Sequence, residues 1–345
     1  VGTLDMTGGD DAQDLHLVGN NLYVARDDGF SYDFALVDIS TPSSMSVTST
    51  LELGSDVNDI DIDSGEDFAF VATNNDTEEI IVVNLSTFTE EVSINTTGGD
   101  NAEAVEVSGS HVYIGSSADA NDLMTVRVGQ GGWQTPRLIG FGDKVENHDA
   151  DALYASGSYV YLVSNNSDFH NDFFVFDVTI PSSPTYLGSL DLDADVTDVV
   201  VSGNYAYVST SDNSGEMKVI DVTTKTSPTL FATFDASGSQ DGLCVVLNGS
   251  TVFLGRTVSS NPELYVIDVA TPSIPSTLDT IEYSDDIASL AVSGNYLYGA
   301  THDNAKEVAV FDISILSNVT EVGSYNAPGS IDGSAVDVSG SVLVL

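Results

Sequence analysis

Short apolar runs recur along the whole chain, and they recur in a constant order. One kind, seen in "AVEVS", "DVVVS", "SLAVS" and "AVDVS", leads straight into a glycine. A second kind follows that glycine: "NLYVA", "HVYIG", "YVYLV", "YAYVS", "TVFLG" and "YLYGA". After a polar stretch comes a third: "FALVDIS", "IIVVNLS", "FFVFDVT", "MKVIDVT", "LYVIDVA" and "VAVFDIS". A turn that often carries Pro then leads to a fourth, as in "PTYLGSLDL". Alternation and β-branched content over runs this short predict strands, and no stretch keeps a helical period over a useful length. Each cycle thus predicts four strands, a to d, with a Ser-Gly or Asn-Gly turn supplying the positive φ that a tight a–b hairpin needs.

The cycle has a nearly fixed length. Its anchor glycines are Gly19, Gly65, Gly109, Gly157, Gly203, Gly249, Gly294 and Gly340, spaced by 46, 44, 48, 46, 46, 45 and 46 residues. Four-stranded units of about 40–50 residues, repeated this often, predict a β-propeller, because a blade can bury its two faces only against neighbours. The expectation is one all-β domain over 1–345, a propeller of four-stranded antiparallel blades, eight in number, with seven as the alternative. The repeats fall at about 11–54, 55–99, 100–145, 146–193, 194–238, 239–284, 285–329, and 330–345 together with 1–10. The opening "VGTLDM" matches "LGSLDL" and reads as a strand d, while the closing "AVDVSGSVLVL" supplies a and b, so the termini share the closing blade. That blade lacks a strand c. Either the natural chain continues beyond Leu345, or the blade has three strands, or another chain donates one.

Several units, among them "VSGNYAYVS…EMKVIDVTTKTSP" and "VSGNYLYGA…EVAVFDIS", resemble LVIVD-type propeller repeats over essentially the whole chain. Arg127 and Asn84 replace the strand-c Asp in the third and second units. The resemblance implies a bacterial or archaeal surface or secreted protein, and it implies no catalytic residues.

Charge is the outlier of the composition: eight Lys and Arg stand against 53 Asp and Glu, a net charge of −45. Such a surface repels nucleic acid and anionic lipid, and attracts cations, Ca2+ among them, or basic protein patches. High ionic strength would screen the self-repulsion, which suits salty or extracellular surroundings. Cys244 is the sole thiol, so no intrachain disulfide exists, and its apolar "LCVVL" context reads as core. No apolar run is long enough to span a membrane as a helix. The chain opens on Val1 without an initiator Met or a signal-like segment, which reads as a processed or excised piece.

The acids keep the repeat. Eight residues before the anchors stand Asp11, Asn101, Asp149, Asp195, Asp241, Asp286 and Asp332, with Asp56 at a position shifted by one. Placed in d–a loops, they would ring one mouth of the channel, either as a cation funnel or as acceptors for backbone N–H groups. A second series, Asp33, Glu79, Asp122, Asp172, Glu216, Glu263 and Glu307, precedes strand c and would form a second acidic ring on the same face. Three residues before the anchors, His16, Glu106 and Asp337, with Asp61 at a position shifted by one, belong to neighbouring blades, either a metal or proton-handling site on the channel wall or a hydrated lining. Tyr23, Phe70, Tyr113, Tyr161, Tyr207, Phe253 and Tyr298 recur after the anchors as inter-blade packing, and strand-c acids such as Asp38 and Asp177 would tie the c–d turns. His111, His148, His170 and His302 have no paired-ligand spacing, and no nucleophile elbow, phosphate loop or dinucleotide fingerprint occurs. Six N-x-S/T sequons occur, at Asn75, Asn84, Asn95, Asn165, Asn248 and Asn318, in a chain rich enough in those residues to produce several by chance.

The functional expectation is a non-enzymatic extracellular or cell-surface propeller for binding, adhesion or assembly, whose acidic face takes Ca2+, other cations or a basic protein partner or neighbouring subunit. The alternative is a metal-dependent hydrolase or lyase at the channel mouth, around His16 or His148. Regularity speaks against it, because catalytic sites break a repeat and these acids preserve it.

Overall fold

The computed structural model describes residues 4, 6, 12–26, 32–41, 44–75, 77–95, 101–117, 121–128, 135–144, 150–165, 171–303, 305–326, 333–339 and 342–344. These residues form seven four-stranded antiparallel sheets, each with its strands in the order a-b-c-d, and one two-stranded sheet. The seven blades run 12–51, 57–94, 102–142, 152–190, 196–234, 242–281 and 287–325. The propeller therefore has seven blades where the glycine series predicts eight. Among the described residues the eighth repeat contributes a hairpin, Asp337–Ser339 paired with Val342–Val344, and a two-stranded ribbon is half a blade. Most of 1–10, expected to supply its outer strand, lies outside the described residues, and Leu4 and Met6 are in no strand.

The chain divides into two compact units, 1–164 with 174–187 and 165–173 with 188–345. In the first unit, apolar clusters join blade 1 to blade 2, blade 2 to blade 3 and blade 3 to blade 4. In the second, they join blade 5 to blade 6 and blade 6 to blade 7. The recurring aromatic sits in these clusters as expected: Tyr23, Phe70, Tyr113, Tyr207 and Phe253 are all buried in them. Both faces of a blade are thus apolar, which is why strands b and c read as near-continuous hydrophobic runs.

Six hairpins place glycine first of the two loop residues: Gly203–Asn204, for instance, separates the paired Ser202 and Tyr205. Gly203 has φ +61°, while Asn204 is not among the left-handed residues, the pattern of a type II′ turn. The second repeat departs from this, which explains its shifted register. There Glu66 takes the left-handed conformation (φ 52°) and Gly65 does not. The carboxylate of buried Asp63 accepts the N–H groups of Gly65, Asp67 and Phe68 to hold the longer turn.

Strands a and d carry β-bulges at fixed places. On strand d the extra residues are Thr48, Glu91, Ile139, Phe231, Leu278 and Val322. A bulged outer strand makes a poor template for another chain, which protects an otherwise exposed edge. On strand a the extra residues are Gln13, Asn58, Glu103, Thr197, Leu243 and Ala288. The c–d turns are tied as the sequence predicts: Asp38, Asp177, Asp221, Asp268 and Asp312 each accept the N–H of the residue two further on. For Asp177, Asp221 and Asp312 the hydroxyl and N–H of that residue hold the carboxyl below its ordinary range.

A Cβ on Gly203 would meet open space, so Gly203→Ala tests conformation alone. The substitution is expected to cost about 1–2 kcal/mol, the penalty of a left-handed L-residue, in denaturant unfolding. An unchanged midpoint would show that the turn does not require glycine.

Candidate functional site

The inner strand of a blade pairs with strand b on one side only. Its other edge presents backbone N–H groups that need acceptors. The residue after each strand-a bulge answers this where it is an acid. Asp14 accepts the N–H of Ile60 (3.1 Å), Asp59 that of Val105 (2.7 Å) and Asp198 that of Val245 (2.9 Å), each on the following blade. Two residues further along strand a, Asp61 accepts from Val107 (2.6 Å) and Glu106 from Ala155 (2.5 Å). The bulge residue adds a donor of its own: Asn58 donates to the carbonyl of Ala102 (2.7 Å) and Thr197 to that of Gly242 (2.9 Å). These side chains staple consecutive inner strands.

Burial favours their protonated forms. Asp14, Asp59 and Asp61 are pushed above the ordinary carboxyl range by burial, and Asp14's charge raises Asp59 further. Burial pushes Glu106 up to about 7 against the bond from Ala155, and Asp198 up to about 6. His16 Nδ1 lies 3.1 Å from Asp61 Oδ1. Of the expected wall cluster, the structure brings His16 and Asp61 together and places Glu106 within electrostatic reach of Asp61. The carboxylates of Asp61 and Glu106 are committed to backbone, and Asp337 accepts its neighbour Val338's N–H. Among the described residues, no three His, Cys, Asp or Glu are grouped to hold a metal ion. Asp14, Asp59 and Asp198 escaped the sequence reading, although they stand five residues before the anchor glycine, or six in the shifted second repeat.

The second acidic series is not on a face. Asp33, Glu79, Asp122, Asp172, Glu216, Glu263 and Glu307 are all fully buried. Each acid whose bond is resolved reaches the d–a loop of its own blade: Asp33 accepts from Leu53 and Gly54, Asp122 from Lys144, Asp172 from Leu192, Glu216 from Ala236 and Glu263 from Tyr283, at 2.6–2.8 Å. That loop has just left strand d, so its N–H groups have no ladder partner, and a carboxylate supplies one. Burial pushes Asp122 up to about 6 and Asp172 up to about 7.

Cations follow the buried acids inward. Of the eight Lys and Arg in the chain, Arg26, Lys144, Lys218 and Arg256 are buried. Lys144 Nζ lies 3.3 Å from Asp122 and above the Phe174 ring. Arg256 pairs with Glu216 at 3.1 Å, donates to the carbonyls of Ser237 and Pro262, and stacks over Tyr265. Lys144 and Arg256 therefore neutralise acids in the interior, while Lys218 reaches Asp212.

The first acidic series splits. Asp11, Asp149 and Asp332, with His148 and His170, lie outside the described residues. Asp56, Asp195, Asp241 and Asp286 use their backbone carbonyls to accept an N–H just beyond strand b, from Asn74, Ser211, Thr257 and His302. Asp286 also accepts the N–H of Val258 and meets His302 Nδ1 at 3.1 Å. Position, more than charge, is conserved along the repeat: Asn101 does the same for Ser117. Cys244 is buried beside the carbonyl of Ile287, and burial pushes its thiol up, which makes it core.

The LVIVD repeat matches residues 9–51, 148–191, 193–236 and 286–327, together half of the chain. The chain belongs to the LVIVD-repeat family. Blades 2, 3 and 6 of this LVIVD-repeat propeller, whose strand c ends on Asn84, Arg127 and Asp268, fall outside the matched stretches. No curated protein matches it. Among solved structures it is similar to Sqt1 of Saccharomyces cerevisiae, at 10% identity over 97% of this chain and 91% of that one, with a TM-score of 0.75. A protein of Lactobacillus plantarum (12% identity, 88% and 94% covered, TM-score 0.65) and a putative 6-phosphogluconolactonase of Bacteroides uniformis (12%, 88% and 96%, 0.64) are also similar. At such identities the likeness shows the fold alone.

Glu216→Ala would leave the buried Arg256 guanidinium without its carboxylate. Loss of a buried partner costs about 3–5 kcal/mol, and chemical unfolding of the variant is expected to show it. A cost below about 1 kcal/mol, the range of an exposed pair, would mean that water reaches the site.

Proposed function

We propose that this LVIVD-repeat propeller is a non-enzymatic binding or assembly module that acts at a cell surface or outside the cell and presents an anionic surface to a basic protein partner. The observation that carries this reading is the division of charge. With four of eight cations withdrawn into the interior, the exterior of a chain of net charge −45 is left almost one-signed. Such a surface speeds encounter with a cationic partner and rejects anionic ones. The inner-strand and buried carboxylates described above serve the backbone, which supports a binding reading over a hydrolytic one. The exposed carboxylates of the d–a loops, Asp56 among them, remain the place where Ca2+ would compete with such a partner. No helix is long and apolar enough to cross a membrane among the described residues.

Calorimetric titration with a lysine-rich peptide, and separately with Ca2+, tests this. Saturable peptide binding is expected at about 0.1 M salt and its loss near 1 M, as the Debye length falls from about 10 Å to about 3 Å. Competition by millimolar Ca2+ would place both ligands on the same carboxylates. A chain that binds neither at low salt has its charge for solubility alone.

A further inference from the structure

We propose that Asp14 and Asp59 form a proton-linked clamp between the first three blades, closed while the two carboxyls hold one proton between them and strained when both are ionised. Both side chains converge on a single donor, the N–H of Ile60, at 3.1 Å from Asp14 and 2.9 Å from Asp59. Two carboxyls that accept from one N–H bring their oxygens together, and a proton on one of them turns a repulsion of like charges into a hydrogen bond. The other oxygen of Asp59 takes the N–H of Val105 on blade 3. Asp14 belongs to blade 1 and Asp59 to blade 2, so the shared proton ties three inner strands in series.

Ionising both acids would replace a hydrogen bond with two like charges in a poorly solvated interface. The surroundings offer little compensation. On the strands packed against the pair, the titratable or charged groups are His16, Tyr23, Arg26, Asp61, Glu103 and Glu106. His16 favours ionisation of Asp14, whereas the charge of Asp61 opposes that of Asp59. Arg26 Nη1 is directed to the carbonyl of Tyr32. Burial raises both carboxyls above their ordinary range, so the folded chain holds more protons than the unfolded one. The sign follows by linkage: this contribution to stability is complete below the unfolded carboxyl pKa of about 3.9, and it is lost as pH rises through the higher folded value.

The test is thermal and denaturant unfolding of the full chain from about pH 5.5 to about pH 8.5 in high salt, where surface repulsion is screened and ordinary carboxylates are already ionised. The unfolding constant of the unaltered chain is expected to rise with pH, by at most about tenfold per pH unit for one proton. Asp59→Asn and Asp14→Asn, which supply a permanent donor, are expected to reduce the slope to the part contributed by the other raised acids, Glu106, Asp172, Asp198 and Asp122. Parallel slopes for the unaltered chain and Asp59→Asn, or a slope abolished by His16→Gln, would overturn the clamp. Infrared spectra of the unaltered chain give a readout that does not depend on the variants folding. A protonated-carboxyl band is expected at neutral pH, and its absence refutes the shared proton.

Discussion

An inner strand of a propeller blade has one paired edge and one edge of unpaired N–H donors, and water reaches that edge only partly. Carboxylates from the preceding blade accept those donors at Ile60, Val105, Val107, Ala155 and Val245. A bulge just before the first of these acids is associated with the geometry: it interrupts the ladder and lets the side chains of Asn58 and Thr197 reach the neighbouring strand. Apolar stacking between blades is non-directional, whereas these bonds are directional and set one inner strand at a defined height against the next.

The same chemistry acts at the outer end of each blade. The d–a loop leaves the ladder with its N–H groups unpaired, and a buried acid placed before strand c collects them. Glutamate serves as well as aspartate here because the acceptor reaches across about 20 residues of chain, even where, as at Glu263, its other oxygen caps its own turn. Two such acids also hold a cation, Asp122 with Lys144 and Glu216 with Arg256. Buried pairs of this kind contribute modestly to net stability but penalise any fold that separates them. The burial of four of the eight Lys and Arg has an electrostatic side effect: few cations remain outside to offset the exposed acids.

Much of this was legible in the order of residues. The glycine period, the four-strand cycle, the aromatic packing position and the Asp-capped c–d turns all follow from local rules that act over two to five residues. Where the sequence reading went astray, the cause lay at a distance. The acids before strand c look like loop-face residues because their partners are about 20 positions away, and the inner-strand acids look like ligands because theirs are about 46 away, on the next blade. The shift in the second repeat was visible as an irregularity, but its cause, a left-handed Glu66 in place of a glycine, was not.

The sequence by itself determined the blade: strand order, hairpin, turn and the face that is buried, because each depends on side-chain period and backbone preference within one repeat. Only the tertiary structure decided the number of complete blades and the role of the acids. Both depend on which backbone groups are left unpaired once the blades meet, and a linear pattern records the presence of a carboxylate without recording the donor that will claim it.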